Sequence, residues 1–295
     1  MRRLPVVLLL LVAACGTSPA PTTADDFHAR AREIAERWQA APEREAWTDG
    51  FVPLAKLTID PPSRGMPKWT GVSELNAVWE LATELPAARP EPGTLTWPDG
   101  SELSLPLVTA ETAYRAMSRP RDFADEECPA KGCRPLRVTA ASLGWAPFPT
   151  SRGEARVPVW EFAVAGLPQP FRRVAVDPAA MGGPPQQRKG EWQEVFTYRA
   201  DGTSLRLTFG YGSCDTTHGG RAYETPQVVV VDADVRPKPD VRVCNAMLHH
   251  AETDVRLREP LGTRVVLDAA SGLPLLPEAE MHLATGFKHW DPRGS

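Results

Sequence analysis

Residues 191–212 read EWQEVFTYRADGTSLRLTFGYG, and this stretch decides the fold class. On its downstream arm Leu205, Leu207, Phe209 and Tyr211 fall on one face, and Asp201-Gly202 stands between the two arms. A period of two about an Asp-Gly pair specifies an antiparallel hairpin with one buried face. Strand-like runs continue as TPQVVVVDADV, VRVC, DVRLREP and TRVVLDAASG, making about six in all. So many strands bury a face most simply by stacking as a sandwich. Residues 191–277 are therefore expected to form a predominantly antiparallel β module.

Upstream the pattern is mixed. DDFHARAREIAERWQA carries Phe27, Ala31, Ile34, Ala35 and Trp38 at helical spacing, with Asp25 and Asp26 at the positive end of the dipole and Pro42 beyond its end. That apolar stripe needs a partner surface. Leu75, Val78, Trp79, Ala82 and Leu85 repeat the same period, so a second helix is expected from Ser73, its cap, to Leu85, with Pro86 stopping it, and a short third near Ala110–Met117. FVPLAKLTI reads as extended, and Pro98-Asp99-Gly100 as a turn between two short strands. From Leu136 on, LRVTAASLGW, ARVPVWEFAVAGL and FRRVAVD read as strands. Residues 177–190 lack any periodicity and read as a loop or linker. The fold class is thus α+β: a mixed, helix-containing region over 25–176, the linker, the β module, and a tail over 278–295.

Thirty-one prolines in 295 residues are about twice the usual share of roughly 5%. Proline has no amide hydrogen to donate and disfavours helix interiors, which argues for short elements and long loops.

Five cysteines are present, at 15, 128, 133, 214 and 244. The last four admit three disulfide pairings. Cys128–Cys133 and Cys214–Cys244 are favoured, because Pro129 and Gly132 let the first loop close and the second pair staples two segments of the β module. A zinc site drawn from Cys214, Cys244, His218 and His249-His250 has the wrong spacings for the usual ligand sets. No metal or cofactor is expected.

Cys15 differs from the rest by its context. Arg2 and Arg3 precede an apolar run from Leu4 to Ala14, which is too short to span a bilayer needing roughly 20 apolar residues. Small residues then lead to Cys15, and a polar, proline-containing tether follows to residue 24. Residues 1–14 have the three parts of an export signal. Val12-Ala13-Ala14-Cys15 resembles the lipobox of bacterial lipoproteins. That resemblance implies signal removal and acylation of Cys15, hence attachment to the outer face of the cytoplasmic membrane through lipid, including palmitate. TSRGEARVPVWEFAVAGL and VRLREPLGTRVVLDAASGLPL are similar to stretches of actinobacterial secreted lipoproteins. The likeness runs over 136–277 and more loosely over 1–60, and implies export and a β-rich ectodomain without assigning an activity.

Removing residues 1–14 would take two arginines and no acid, leaving 31 basic against 37 acidic side chains, a formal charge of −6. With no basic cluster, nucleic acid is not an expected partner.

Catalytic motifs are missing. GYGSC fails the nucleophile-elbow pattern, and Ser213, Asp215 and His218 sit within a single segment rather than on three. The acidic run Asp122, Asp125, Glu126, Glu127 lacks the alternating ligands and central glycine of a calcium loop. No catalytic residue is assigned. Trp47, Trp69, Trp97 and Trp145 lie beside proline, glycine or charged residues and are candidates to line a ligand groove, since indole faces stack on apolar ligand faces. The expected function is a cell-envelope binding or interaction module facing a wall polymer or an envelope protein. The alternatives are an envelope hydrolase without a recognisable motif and a solute-binding lipoprotein.

Overall fold

The computed structural model describes residues 24–120, 127–129, 131–186, 193–241, 243–278, 291 and 293. The expected export signal over residues 1–14, Cys15 and the expected tether up to residue 23 lie outside the described residues, as do Asp122, Asp125 and Glu126 of the acidic run and most of the tail. Helices α1 (Ala24–Ala40) and α2 (Pro42–Asp49) come first. They are followed by β1 (Thr58–Ile59), α3 (Trp69–Leu75), β2 (Trp79–Leu81), β3 (Gly93–Thr96), β4 (Glu102–Leu105) and α4 (Ala110–Met117). Next come β5 (Leu136–Thr150), β6 (Gly153–Val164), β7 (Phe171–Val174) and a turn of 3-10 helix at Pro178–Ala180. The chain finishes with β8 (Val195–Asp201), β9 (Ser204–Gly212), β10 (Asp215–Glu224), β11 (Val228–Pro237), β12 (Leu248–Arg256) and β13 (Val265–Asp268). The class is α+β, rich in strand, with antiparallel and mixed sheets and both favoured disulfides, Cys128–Cys133 and Cys214–Cys244.

Residues 195–212 form the expected hairpin, with its turn one residue later than the Asp201-Gly202 pair. β8 and β9 pair from Val195↔Phe209 to Asp201↔Ser204, leaving Gly202 and Thr203 as the two-residue turn. Gly202 takes φ +56°, a conformation that a side chain resists. Leu205, Leu207 and Phe209 are buried and Tyr211 half-buried, all on one face. β12 adds to the other edge of β9 in unbroken antiparallel register, making the three-stranded sheet β12-β9-β8.

A second three-stranded sheet, β10-β11-β13, packs against the first. Val229, Val231, Ala233 and Val266 face Val195, Leu205, Leu207, Phe209 and Val255 across a shared core. The other face of β11 and β13 receives α1: Phe27, Ala31, Ile34, Ala35 and Trp38 pack on Val228, Val230 and Leu267. The apolar stripe of α1 thus finds its partner some two hundred residues downstream in the sequence. β11 is covered on both faces, which is why its valines run without alternation. β13 runs parallel to β11, because the chain crosses to the other sheet as β12 before returning.

Three details depart from the expectations. In the VRVC segment Val241, Val243 and Cys244 lie outside any strand: Val243 is 87% exposed, and pairing resumes only at Leu248, so Cys244 tethers an irregular loop to Cys214. β10, DTTHGGRAYE, carries no apolar alternation and forms because the valines of β11 supply the partner edge. Gly220 lets β10 come close to β12, since a β-carbon there would strike the methyl groups of Val255 and Thr253. Finally, the helix expected from Ser73 to Leu85 is instead α3 followed by β2. Ala77 turns the chain at φ +52°, and Trp79–Leu81 pairs in parallel with Leu136–Val138. Ser73 is a buried helical residue whose hydroxyl donates to the Arg134 carbonyl at 2.8 Å, not a cap.

The upstream sheet has seven strands built around β6. β5 pairs along the whole of one edge of β6, while β3 and β7 share the other edge end to end. β4 extends β3 as the expected hairpin, β1 extends β7, and β2 extends β5. Leu95, Leu107, Phe148, Phe162 and Phe171 fill its core, and α4 closes over it with Tyr114 tilted on Phe162 at 5.9 Å between ring centroids. Thr109 caps α4, its hydroxyl accepting from the Thr112 amide at 3.2 Å.

Candidate functional site

The β5–β6 hairpin decides where Trp145 points. Along β5, Ala146 and Phe148 turn inward and are buried, so Trp145 and Pro147 turn outward and are exposed. Register places Pro147 opposite Arg156, and Thr96 of β3 pairs with Arg156 from the other side. Thr96, Trp97, Pro98, Trp145, Ala146, Pro147, Glu154, Ala155 and Arg156 consequently surround an open cleft of about 340 Å³.

The two indoles of this cleft are held differently. Trp97 is 4% exposed and fixed: its Nε1 donates to Thr150 Oγ1 at 3.1 Å. Thr150 Oγ1 donates in turn to the Gly153 carbonyl at 2.6 Å. Arg152 lies 3.8 Å above the Trp97 ring and donates to Ser101 Oγ at 2.6 Å and to the Asp49 carbonyl at 3.2 Å. Trp145 is 48% exposed and touched from one side by Arg156, whose guanidinium lies 5.3 Å from the ring centre. One wall is therefore rigid, and the other presents a free indole face beside a cation and the exposed carboxylate of Glu154.

Such a surface can stack on the apolar face of a sugar ring or a proline, with Arg156 and Glu154 addressing polar groups at its edge. It holds one carboxylate, whereas glycoside hydrolysis by the common mechanisms takes a pair.

The four candidate tryptophans are not one constellation. Trp97 and Trp145 share the cleft. Trp47 is buried where α2 meets α1, with Ser151 Oγ donating to its carbonyl at 2.7 Å. Trp69 starts α3, packs against the large-sheet core and lies under Arg134, 4.4 Å from its ring centre. Alternation alone separates Trp145 and Pro147 from the buried Ala146 and Phe148. Arg156 and Glu154 carry no such mark, because only the hairpin register brings them alongside.

The polar groups near Cys214 and Cys244 are each engaged elsewhere. Ser213 donates to the Asn245 carbonyl at 3.2 Å, Asp215 accepts from the Gly212 amide at 3.0 Å, and His218 bonds to Thr216 at 2.9 Å. They have different neighbours and do not form a relay. His249 lies beside Tyr211 and His250 beside Phe196, at 5.3 and 5.4 Å between ring centroids, on opposite faces of β12. Among the described residues there is no group of three or more His, Cys, Asp or Glu placed to hold a metal ion, and no helix is long and apolar enough to cross a membrane.

No protein-family model, curated protein or solved structure matches the chain.

Proposed function

We propose that this chain is an extracytoplasmic binding module of the cell envelope, tethered to the membrane by lipid on Cys15. Its contact surface is the Trp97–Trp145 cleft, and its ligand class is a wall polymer with stackable sugar rings. The observation that carries this reading is Trp145. A large indole standing 48% exposed at the edge of an open cleft, beside Arg156 and Glu154, presents a face on which an apolar ligand face can stack. The fixed Trp97 wall beside it supplies pre-organisation, which lowers the ordering cost of binding. The two disulfides support an oxidising compartment, since such bonds are rare where thiols are kept reduced.

Co-sedimentation of the ectodomain with insoluble, purified cell-wall sacculi tests the reading. Trp145→Ala should lose most of the bound fraction while remaining folded. Equal binding by the variant, or no binding by either protein, would remove the cleft from this role.

A further inference from the structure

The register of the β5–β6 hairpin fixes which backbone groups of β5 face its outer edge. Pairing runs without a slip from Ala140↔Ala163 to Thr150↔Gly153. In an antiparallel ladder, alternate residues turn both N–H and C=O toward the partner strand, and those between turn both away. Two hydrogen bonds set the phase. The Pro149 carbonyl accepts from the Leu54 amide and so points away from β6. The Pro158 carbonyl, opposite Trp145, accepts from the Ala175 amide on the far side of β6. Counting by twos, Ala141, Leu143, Trp145 and Pro147 direct their backbone groups to the outer edge.

Over that stretch the outer edge has no partner among the described residues. β2 covers only Leu136–Val138, and the chain at Pro53 and Leu54 reaches only Thr150 and Pro149. Ala140, Ser142, Leu143 and Trp145 are exposed. Sheets guard such an edge with a charge, a proline, a bulge or a covering element. Here the guards stand at the two ends: an irregularity between Val138 and Ala140 at one, and Pro147 and Pro149, which lack amide hydrogens, at the other. Between them residues 139–146, TAASLGWA, carry no charge.

We infer that this open stretch is a pairing edge for a second copy of the chain, with β5 joined to β5 in antiparallel register about a twofold axis at Leu143.

Backbone donors and acceptors repeating along a strand edge are matched by another extended polypeptide, not by a sugar. β5 is itself such a strand. Centred on Leu143, the register sets Leu143 opposite Leu143 of the second copy and Ala141 opposite Trp145, so every outward N–H meets a C=O. Bulk matches as well: the small Ala141 stands beside the large indole, and two leucines meet at the axis, as same-face neighbours do across a ladder. On the other face Ser142 meets Gly144. A shift of two residues either way brings in Pro147, which donates nothing, or the irregularity beside Ala140. The contact buries no unpaired charge. An uncharged edge meets an uncharged edge, and Glu161, which leans over Gly144, is already bonded by Arg172 at 2.7 Å. A twofold contact closes on itself, so it makes a dimer and not a filament. Its shortness puts it among weak, reversible contacts.

This inference does not rest on the wall-polymer reading. Leu143 does not line the Trp97–Trp145 cleft, so substitutions there test the edge alone. Sedimentation equilibrium of the Cys15→Ser chain, which has no thiol at that position to acylate, should show reversible monomer–dimer exchange between micromolar and millimolar protein. In that background Leu143→Pro should spare the β6 ladder, as Pro147 does, because position 143 gives β6 no hydrogen bond. It removes the central outward amide from both copies and should weaken the dimer about tenfold. Leu143→Lys keeps the amide, places two like charges at the axis and should weaken the dimer as well; it decides the matter if the proline variant does not fold. A monomer at every concentration, or a dimer that the folded variants leave intact, would overturn the inference. Leu143→Cys should cross-link between copies on mild oxidation, whereas Ala140→Cys, which the register holds far from its own copy, should not. No cross-link at position 143, or equal cross-linking at both, would overturn it too.

Discussion

The guanidinium of Arg152 lies 3.8 Å over the indole of Trp97 and ties that ring to Ser101 and to the end of α2 through the Asp49 carbonyl. Through this contact the β3–β4 turn, the β5–β6 turn and α2 become one rigid corner, and the cleft inherits a fixed wall. The two cleft tryptophans should therefore answer substitution in opposite ways. Trp97→Ala removes a buried ring and one of the two donors to Thr150 Oγ1, leaving only the Arg152 amide, and should cost about 3–5 kcal/mol. Trp145→Ala removes an exposed ring and should stay within about 0.5 kcal/mol of wild type. Urea unfolding of both variants checks the contrast; similar losses would mean that Trp145 is structural.

The disulfide between Cys214 and Cys244 closes a loop with a sequence separation of 30. Chain entropy for a loop of that size gives about 3–4 kcal/mol. Replacing both cysteines with serine should lower the unfolding free energy by that amount while leaving the core hairpin intact, because the β9–β12 pairing begins only beyond the loop, at Leu248. An unchanged midpoint in urea would show that the loop is held by other means.

Helix α1 belongs energetically to the sheets it covers. Ile34 is 4% exposed against the face of β11 and β13. Ile34→Ala should cost about 2–5 kcal/mol for lost burial and the cavity left behind. The loss should appear in the single unfolding transition of the 193–278 sheets rather than as separate melting of a helix. Two resolved transitions would contradict this coupling.

Gly220 tests the approach of β10 to β12. Gly220→Val forces new methyl groups against Val255 and Thr253, and overpacking of this kind costs about 1–3 kcal/mol. Thermal unfolding reads it directly, and an unaffected melting temperature would mean that the two strands separate freely.

Much of this architecture is legible in the amino-acid order alone. The β8–β9 hairpin, the α1 stripe, α4 and the strands β5, β6, β7, β11 and β13 follow from period and punctuation. Both disulfides follow from an even count and flexible loops. What is not legible depends on partners distant in sequence. Val78-Trp79-Glu80-Leu81 satisfies a helical stripe and a strand equally well, and only the free edge of β5 decides between them. β10 has no apolar pattern of its own and is a strand because β11 is. The cleft is half legible. Trp97 and Trp145 have the right neighbours, but so does Trp47, whose burial comes from α1 packing above it. Asp232 and Asp234, both buried, carry a subtler signal: they interrupt a run of valines too apolar to have a solvent face, so charges within it must be buried and paired.

The proposed envelope binding module has first to be held at the membrane, and that part of the proposal rests on Cys15. Metabolic labelling with an alkyne fatty acid, followed by fractionation, compares the wild-type chain with Cys15→Ser. The account predicts a labelled, membrane-bound wild type and an unlabelled Cys15→Ser protein that is lost from the membrane fraction. Wild-type protein without label, or a serine variant retained at the membrane as before, would contradict it.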